Sequence, residues 1–161
     1  MLSNLIKKIL LGISILCFYT GTAFAQTQNP DYDANLAQEL GADDYGMKSY
    51  ILVMLKTGSR DAEITEKAVR DSLFAGHLGN IQRLVDLNKL VVAGPLGRND
   101  KTYRGIFILN TNSMEEAAEL LQTDPAIKEK LLESELYAWY GSAALPVYLE
   151  ASQKVGKYKI N

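Results

Sequence analysis

Cysteine and histidine each occur once in this 161-residue chain, and that scarcity excludes more chemistry than any motif admits. Cys17 sits in the apolar N-terminal stretch, so the remainder has no disulfide to close and no thiol nucleophile. With His77 as the single imidazole, a zinc centre of the usual nitrogen and sulfur donors is disfavoured. The carboxylates and water that remain suit Mg or Ca better. No metal or other cofactor is expected. Runs of basic residues are also missing: Lys and Arg total 17 against 19 acidic residues. A phosphate backbone is held by grouped cations, so nucleic acid is not an expected partner.

What is present begins with an export signal. Residues 1–25, MLSNLIKKILLGISILCFYTGTAFA, carry Lys7 and Lys8, an apolar run from Ile9 to Tyr19, and Ala23-Phe24-Ala25 as a cleavage site. The apolar run is too short to span a bilayer comfortably. The mature chain is expected to start at Gln26 and to be periplasmic or extracellular, with no membrane span. Lipidation of Cys17 is disfavoured because Leu16 is larger than the residue usual before a lipidated cysteine. Without Lys7 and Lys8 the mature chain is left near minus four. Its length suits one domain with a single core. We place that domain at 48–141, between a flexible acidic leader at 26–47 and a C-terminal extension at 142–161. In the leader, Asp31, Asp33, Glu39, Asp43 and Asp44 stand with no basic residue, although Leu36 and Leu40 can share one face of a short helix.

Within the domain, Tyr50 to Leu55 reads as a central strand covered on both faces. Ile64 to Asn88 has helical spacing, in one or two pieces, with Asp71 able to cap a second piece and Asn88 able to close it. Phe74, Leu78, Ile81, Leu84 and Val85 keep that spacing and carry His77 on the same inward side. Gly76 and Gly79 flank the imidazole, each costing about 1 kcal/mol relative to alanine. Their presence points either to close approach of a ligand or to tight helix-on-sheet packing.

Leu90 to Ala93 reads as a buried strand stopped by Gly94-Pro95. After the turn Arg98 to Lys101, Tyr103 to Leu109 completes a hairpin, and Gly105 within it signals a bulge or a close neighbour. Ser113 and Glu116 form a capping box before the apolar stripe Met114, Ala117, Ala118 and Leu121. Asp124-Pro125 reads as a helix start, with one carboxylate oxygen able to hold amides while the other faces a cleft. Leu136 to Tyr140 is a last strand. The order strand, helix, strand, strand, helix, strand predicts an α+β ferredoxin-like βαββαβ plait: a four-stranded antiparallel sheet with helices on one face. The other face needs cover, and a second copy is the simplest, giving a homodimer.

His77 after the first strand, Ala93-Gly94-Pro95 closing the second, Gly105 in the third, Asp124-Pro125 after the second helix and Trp139 in the last strand together resemble the YCII-related (YciI-like) family over roughly Tyr50 to Trp139. The resemblance implies a dimeric ferredoxin-like fold, an acid-base pair of His77 and Asp124, and proton transfer on a small organic molecule, lyase-like or hydrolase-like. The chain departs from the family at Ala126, where an aromatic residue often follows the aspartate-proline pair, and by its export signal and its extension past Gly141. In this reading His77 handles the proton and Asp124 orients the ring. Gly94, Pro95, Arg98, Tyr103 and Trp139 are the candidate substrate-binding residues. Arg98 and Tyr103 suit an anionic or phenolic group and Trp139 an aromatic wall, though an ordinary turn charge and core residues describe them better. The alternatives from other classes are a module that binds a small molecule without turnover and an exported protein whose sheet face or tail docks a partner.

Overall fold

A computed structural model describes residues 28–157. Residues 1–25, read above as an export signal, and with them Cys17, lie outside the described residues. The chain divides into two compact units, Met1–Tyr32 and Asp33–Asn161. Of the first, only 28–32 are described, and they form a turn closed by the Tyr32 amide donating to the Asn29 carbonyl.

In the second unit, the stretch read as a flexible leader contains helix α1, Ala34–Leu40. Asp33 caps it by accepting from the Asn35 and Leu36 amides, and Gly41 ends it in the left-handed region. The helix carries the Leu36 and Leu40 face noted above, and one of the charges behind the flexible reading, Asp33, is its capping carboxylate. Strand β1, Met47–Thr57, follows and is longer than its apolar core, because its ends, Met47 to Ser49 and Thr57, still pair with the last strand of the chain. Helix α2 runs unbroken from Lys67 to Asp86. Asp71 is no cap: it lies within α2 and pairs with Lys67 one turn back. Asn88 does close the helix, at φ 56°, with its amide on the Val85 carbonyl and that of Lys89 on the Leu84 carbonyl.

Strands β2 (Leu90–Pro95) and β3 (Tyr103–Leu109) form the hairpin. Asn99 organises its loop, accepting from the Lys101 and Tyr103 amides. Helix α3, Met114–Gln122, starts on the Ser113 hydroxyl, which accepts from the Glu116 amide. The return half of the capping box is replaced, since the Glu116 carboxylate accepts from the Thr111 hydroxyl instead. A one-turn helix α4, Pro125–Lys128, leads into β4, Leu132–Ser142.

The sheet order is β2-β3-β1-β4, antiparallel throughout. The protein is therefore an α+β ferredoxin-like plait. Alternation along β1 sends Ile51, Val53 and Leu55 to the face that meets Leu84, Ala117, Leu121, Ala126 and Ile127 of the helices. Tyr50 goes the other way, with Val91 and Ile108. That second face is partly covered by the chain itself. After β4, a 3₁₀ turn at Leu145–Val147 and helix α5, Tyr148–Val155, fold back. Leu145 packs on the Tyr50 cluster, the Tyr148 hydroxyl donates to the Val91 carbonyl at 2.6 Å, and that of Tyr50 donates to the Ser142 carbonyl at 2.8 Å. Among the described residues no helix is long and apolar enough to cross a membrane.

Candidate functional site

Helix α2 and the segment before α4 bring His77 and Asp124 together across 47 positions of sequence. Asp124 is fully buried, and its two oxygens do different work. Oδ1 accepts from the Ala126 amide at 2.9 Å and the Ile127 amide at 3.4 Å, starting α4. Oδ2 lies 2.6 Å from His77 Nδ1. A carboxylate can only accept, so Nδ1 carries the proton of this bond and, in the neutral ring, Nε2 holds the lone pair. Nε2 has no hydrogen-bond partner among the described residues, yet it is not sealed in the interior. The ring itself is held flat, stacked on Phe107 with centroids 5.8 Å apart and planes at 19°.

His77 is one wall of a cavity of about 370 Å³ between α2 and the β2–β3 end of the sheet. The α2 wall adds Phe74, Leu78, Ile81 and Gln82, and the sheet contributes Gly94, Pro95, Arg104 and Phe107. The cavity explains why the apolar stripe of α2 is only partly covered: Leu78 keeps 38% exposure because its side of the helix borders open space rather than strands. Among the described residues no group of three or more His, Cys, Asp or Glu side chains is placed to hold a metal ion.

The two glycines beside the imidazole divide in role. A Cβ on Gly76 would stand 2.5 Å from Pro125 Cγ, whereas one on Gly79 would meet nothing within 4 Å. Gly76 is thus a packing glycine that lets α2 approach the Asp124-Pro125 corner. Gly105 is required by close approach too, since a Cβ there would stand 2.8 Å from the Gly94 carbonyl oxygen.

Of the residues assigned to substrate binding, Gly94 and Pro95 line the cavity with His77. Arg98, in the exposed loop after β2, and Tyr103, half-buried at the start of β3, do not line it. Trp139 is on the wrong face. It pairs in register with Tyr50, tilts against that ring at 5.7 Å and packs so closely over Gly141 that a Cβ there would collide with the indole. Strand alternation explains the error, because Trp139 shares a face with Tyr50 and not with Val53.

Arg104, Gln82 and Phe107 went unassigned. Phe107 was within reach, since it stands two residues from Gly105 on the same face. Arg104 was not. Leu55 pairs with Gly105 and Lys56 with Tyr103, so Arg104 is the extra residue of a β-bulge, and a bulge re-aims a side chain against the alternation a sequence shows.

The fold and this corner define a small α+β domain with a histidine on one cavity and a buried carboxylate behind it. No family model matches the chain, and no curated protein matches it. Among solved structures it is similar to 5-chloro-2-hydroxyhydroquinone dehydrochlorinase from Burkholderia phenoliruptrix AC1100, in complex with 2,5-dihydroxybenzoquinone. Identity is 22%, over 57% of this chain and 93% of that one, with a TM-score of 0.39.

Proposed function

We propose that this chain is a YCII-related enzyme that moves a proton on a small organic molecule, lyase-like or hydrolase-like, with His77 as the acid-base group and Asp124 as its positioning partner. One observation carries the reading: the 2.6 Å bond from His77 Nδ1 to a fully buried carboxylate, with Nε2 left unpaired on a ring that lines a cavity. The carboxylate fixes the tautomer, steadies the imidazolium that forms when Nε2 takes a proton, and stops the ring from turning. The family assignment is supported by His77, Ala93-Gly94-Pro95, Gly105, Asp124-Pro125 and Trp139 falling on the elements the family pattern requires.

The test is proton chemistry in heavy water. The mature protein is incubated with a panel of small carbon acids and of compounds bearing a leaving group next to an acidic C–H. Deuterium uptake and product are then followed by mass spectrometry. Wild type should act on at least one compound, and His77→Gln should lose that action by a factor of about 10²–10⁴, the usual worth of a general acid-base group. Unchanged turnover by His77→Gln would overturn the assignment. Compounds that bind but are never converted would favour a binding module instead.

Two further parts belong to the same reading. Export is supported by residues 1–25, and the N-terminal sequence of the secreted product should begin at Gln26. A homodimer is confined by the tail to what it leaves open on the second sheet face, where Leu52 and Met54 are half-buried and Tyr137 is exposed. Light scattering on the mature chain should give twice the monomer mass.

A further inference from the structure

We propose that the cavity takes a small organic anion, an apolar body bearing one carboxylate, and that Arg104 is the residue that recognises its charge. This rests on the reading of the cavity as a small-molecule site and adds the class of ligand. The lining contains one permanent cation, Arg104, and no Asp or Glu. The carboxylate behind the imidazole, Asp124, is fully buried and already engaged at both oxygens. A ligand therefore meets a cavity with no negative wall and a guanidinium at its rim.

Three of the other four arginines are committed to protein partners, and the fourth, Arg98, lies in the exposed loop off the cavity. Arg60 pairs with Glu63 and Glu129, Arg70 with Asp61, and Arg83 bonds Asn80 and Thr123. Arg104 has no side-chain partner among the described residues, and the bulge that sets it beside Gly105 places it on the cavity. Bulges commonly re-aim a side chain next to a site, and a guanidinium presents a planar fork that matches a carboxylate with two parallel hydrogen bonds. Phe74, Leu78, Ile81, Pro95 and Phe107 suit an apolar body. A volume of about 370 Å³ is near the small end of ligand pockets, which run roughly 300–1,000 Å³, and so favours a single ring or a short chain.

The single histidine makes the test direct, because any imidazole resonance of the mature, ¹⁵N-labelled protein is that of His77. Two matched pairs are titrated, benzoate with benzamide and butyrate with butyramide, and the His77 ring shifts are followed. At least one carboxylate should move them saturably, with its neutral amide at least tenfold weaker. Arg104→Met, which keeps the apolar stem and removes no side-chain hydrogen bond or ion pair among the described residues, should bring the carboxylate down to the amide's affinity, while Arg104→Lys retains part of the preference. Equal binding of acid and amide, or a preference that survives in Arg104→Met, would overturn the anion assignment and leave the cavity a ligand site. If neither pair moves the His77 resonances, the small-molecule reading of the cavity falls with it.

Discussion

Asp124 is the side chain whose loss the geometry predicts most sharply, because one residue caps a helix and holds the imidazole. Replacing it with alanine removes the cap on α4, worth about 1 kcal/mol, and the bond to His77, for which a charged partner is worth about 1.5–3 kcal/mol. The two oxygens act separately, so the losses accumulate to about 3 kcal/mol. For a domain of this size that moves a urea midpoint by roughly 1–2 M. Asp124→Asn is the informative partner. The Ala126 and Ile127 amides need an acceptor, so they keep the carboxamide oxygen on their side and turn its NH₂ toward His77. The ring must then accept at Nδ1 and carry its proton on Nε2, the reverse of the wild-type tautomer. Stability should fall by only about 1 kcal/mol, the difference between a charged and a neutral hydrogen bond, while base chemistry at Nε2 is lost. Urea unfolding of the three proteins and ¹⁵N spectra of the His77 ring provide both readouts. A ring that keeps its Nδ1 proton in Asp124→Asn, or an alanine variant that loses no more than an ordinary cap, would refute the reasoning.

Four other substitutions follow from the immediate surroundings of single residues. Gly76→Ala and Gly79→Ala should move in opposite directions: the first forces α2 off Pro125 at an overpacking cost of about 1–3 kcal/mol, and the second, facing open space, should gain about 0.5–1 kcal/mol of helix stability, both read as thermal midpoints. The Glu116 carboxyl is held below its ordinary range first by Lys89 and then by the Thr111 hydroxyl. A depressed folded value means its stabilisation is present above the unfolded value, near 4.5, and is lost as pH falls through the lower folded one. Glu116→Gln should therefore flatten the acid limb of a stability profile below about pH 4.5, and high salt should shrink the difference. Trp139→Ala should destabilise by about 2 kcal/mol, less than a fully buried aromatic, while His77 ring shifts on ligand titration stay those of wild type. A change in those shifts would put the indole back at the site.

The plait was legible because its signals are local and repeat. Alternation in Tyr103–Leu109, the Ser113 cap and the Asp124-Pro125 start each name an element without help from the rest of the chain. Misreadings arose where a distant contact decides. Asp71 has the chemistry of a cap, but packing of Leu84 and its neighbours carries α2 straight through it. The second sheet face called for a cover, yet nothing in Leu145 or Tyr148 alone reveals that the tail folds back onto the Tyr50 cluster. Trp139 and Arg104 show the same limit at the scale of one side chain, since the first depends on strand register and the second on a bulge.

His77 and Asp124 could be named separately, but the way they are held could not. Along one edge of α2, Gly76, His77, Asn80 and Arg83 follow one another at helical spacing, and each meets one residue of the run Thr123 to Pro125. Gly76 admits Pro125, His77 bonds Asp124, Asn80 accepts from Thr123 at 3.0 Å, and Arg83 bridges Asn80 and Thr123 at 2.9 and 2.6 Å. A helix edge docked on three consecutive residues cannot slide without breaking several bonds at once. The carboxylate is therefore fixed to the same rigid body as the imidazole, although it sits in a connection between helices. Catalytic groups need to be held to within a fraction of an ångström, and here glycine, threonine and proline beside the pair supply that constraint. Gly76 and Pro125 carry no group that moves a proton, and the Thr123 hydroxyl is taken up by Asn80 and Arg83, which is why inspection for reactive residues passes over them.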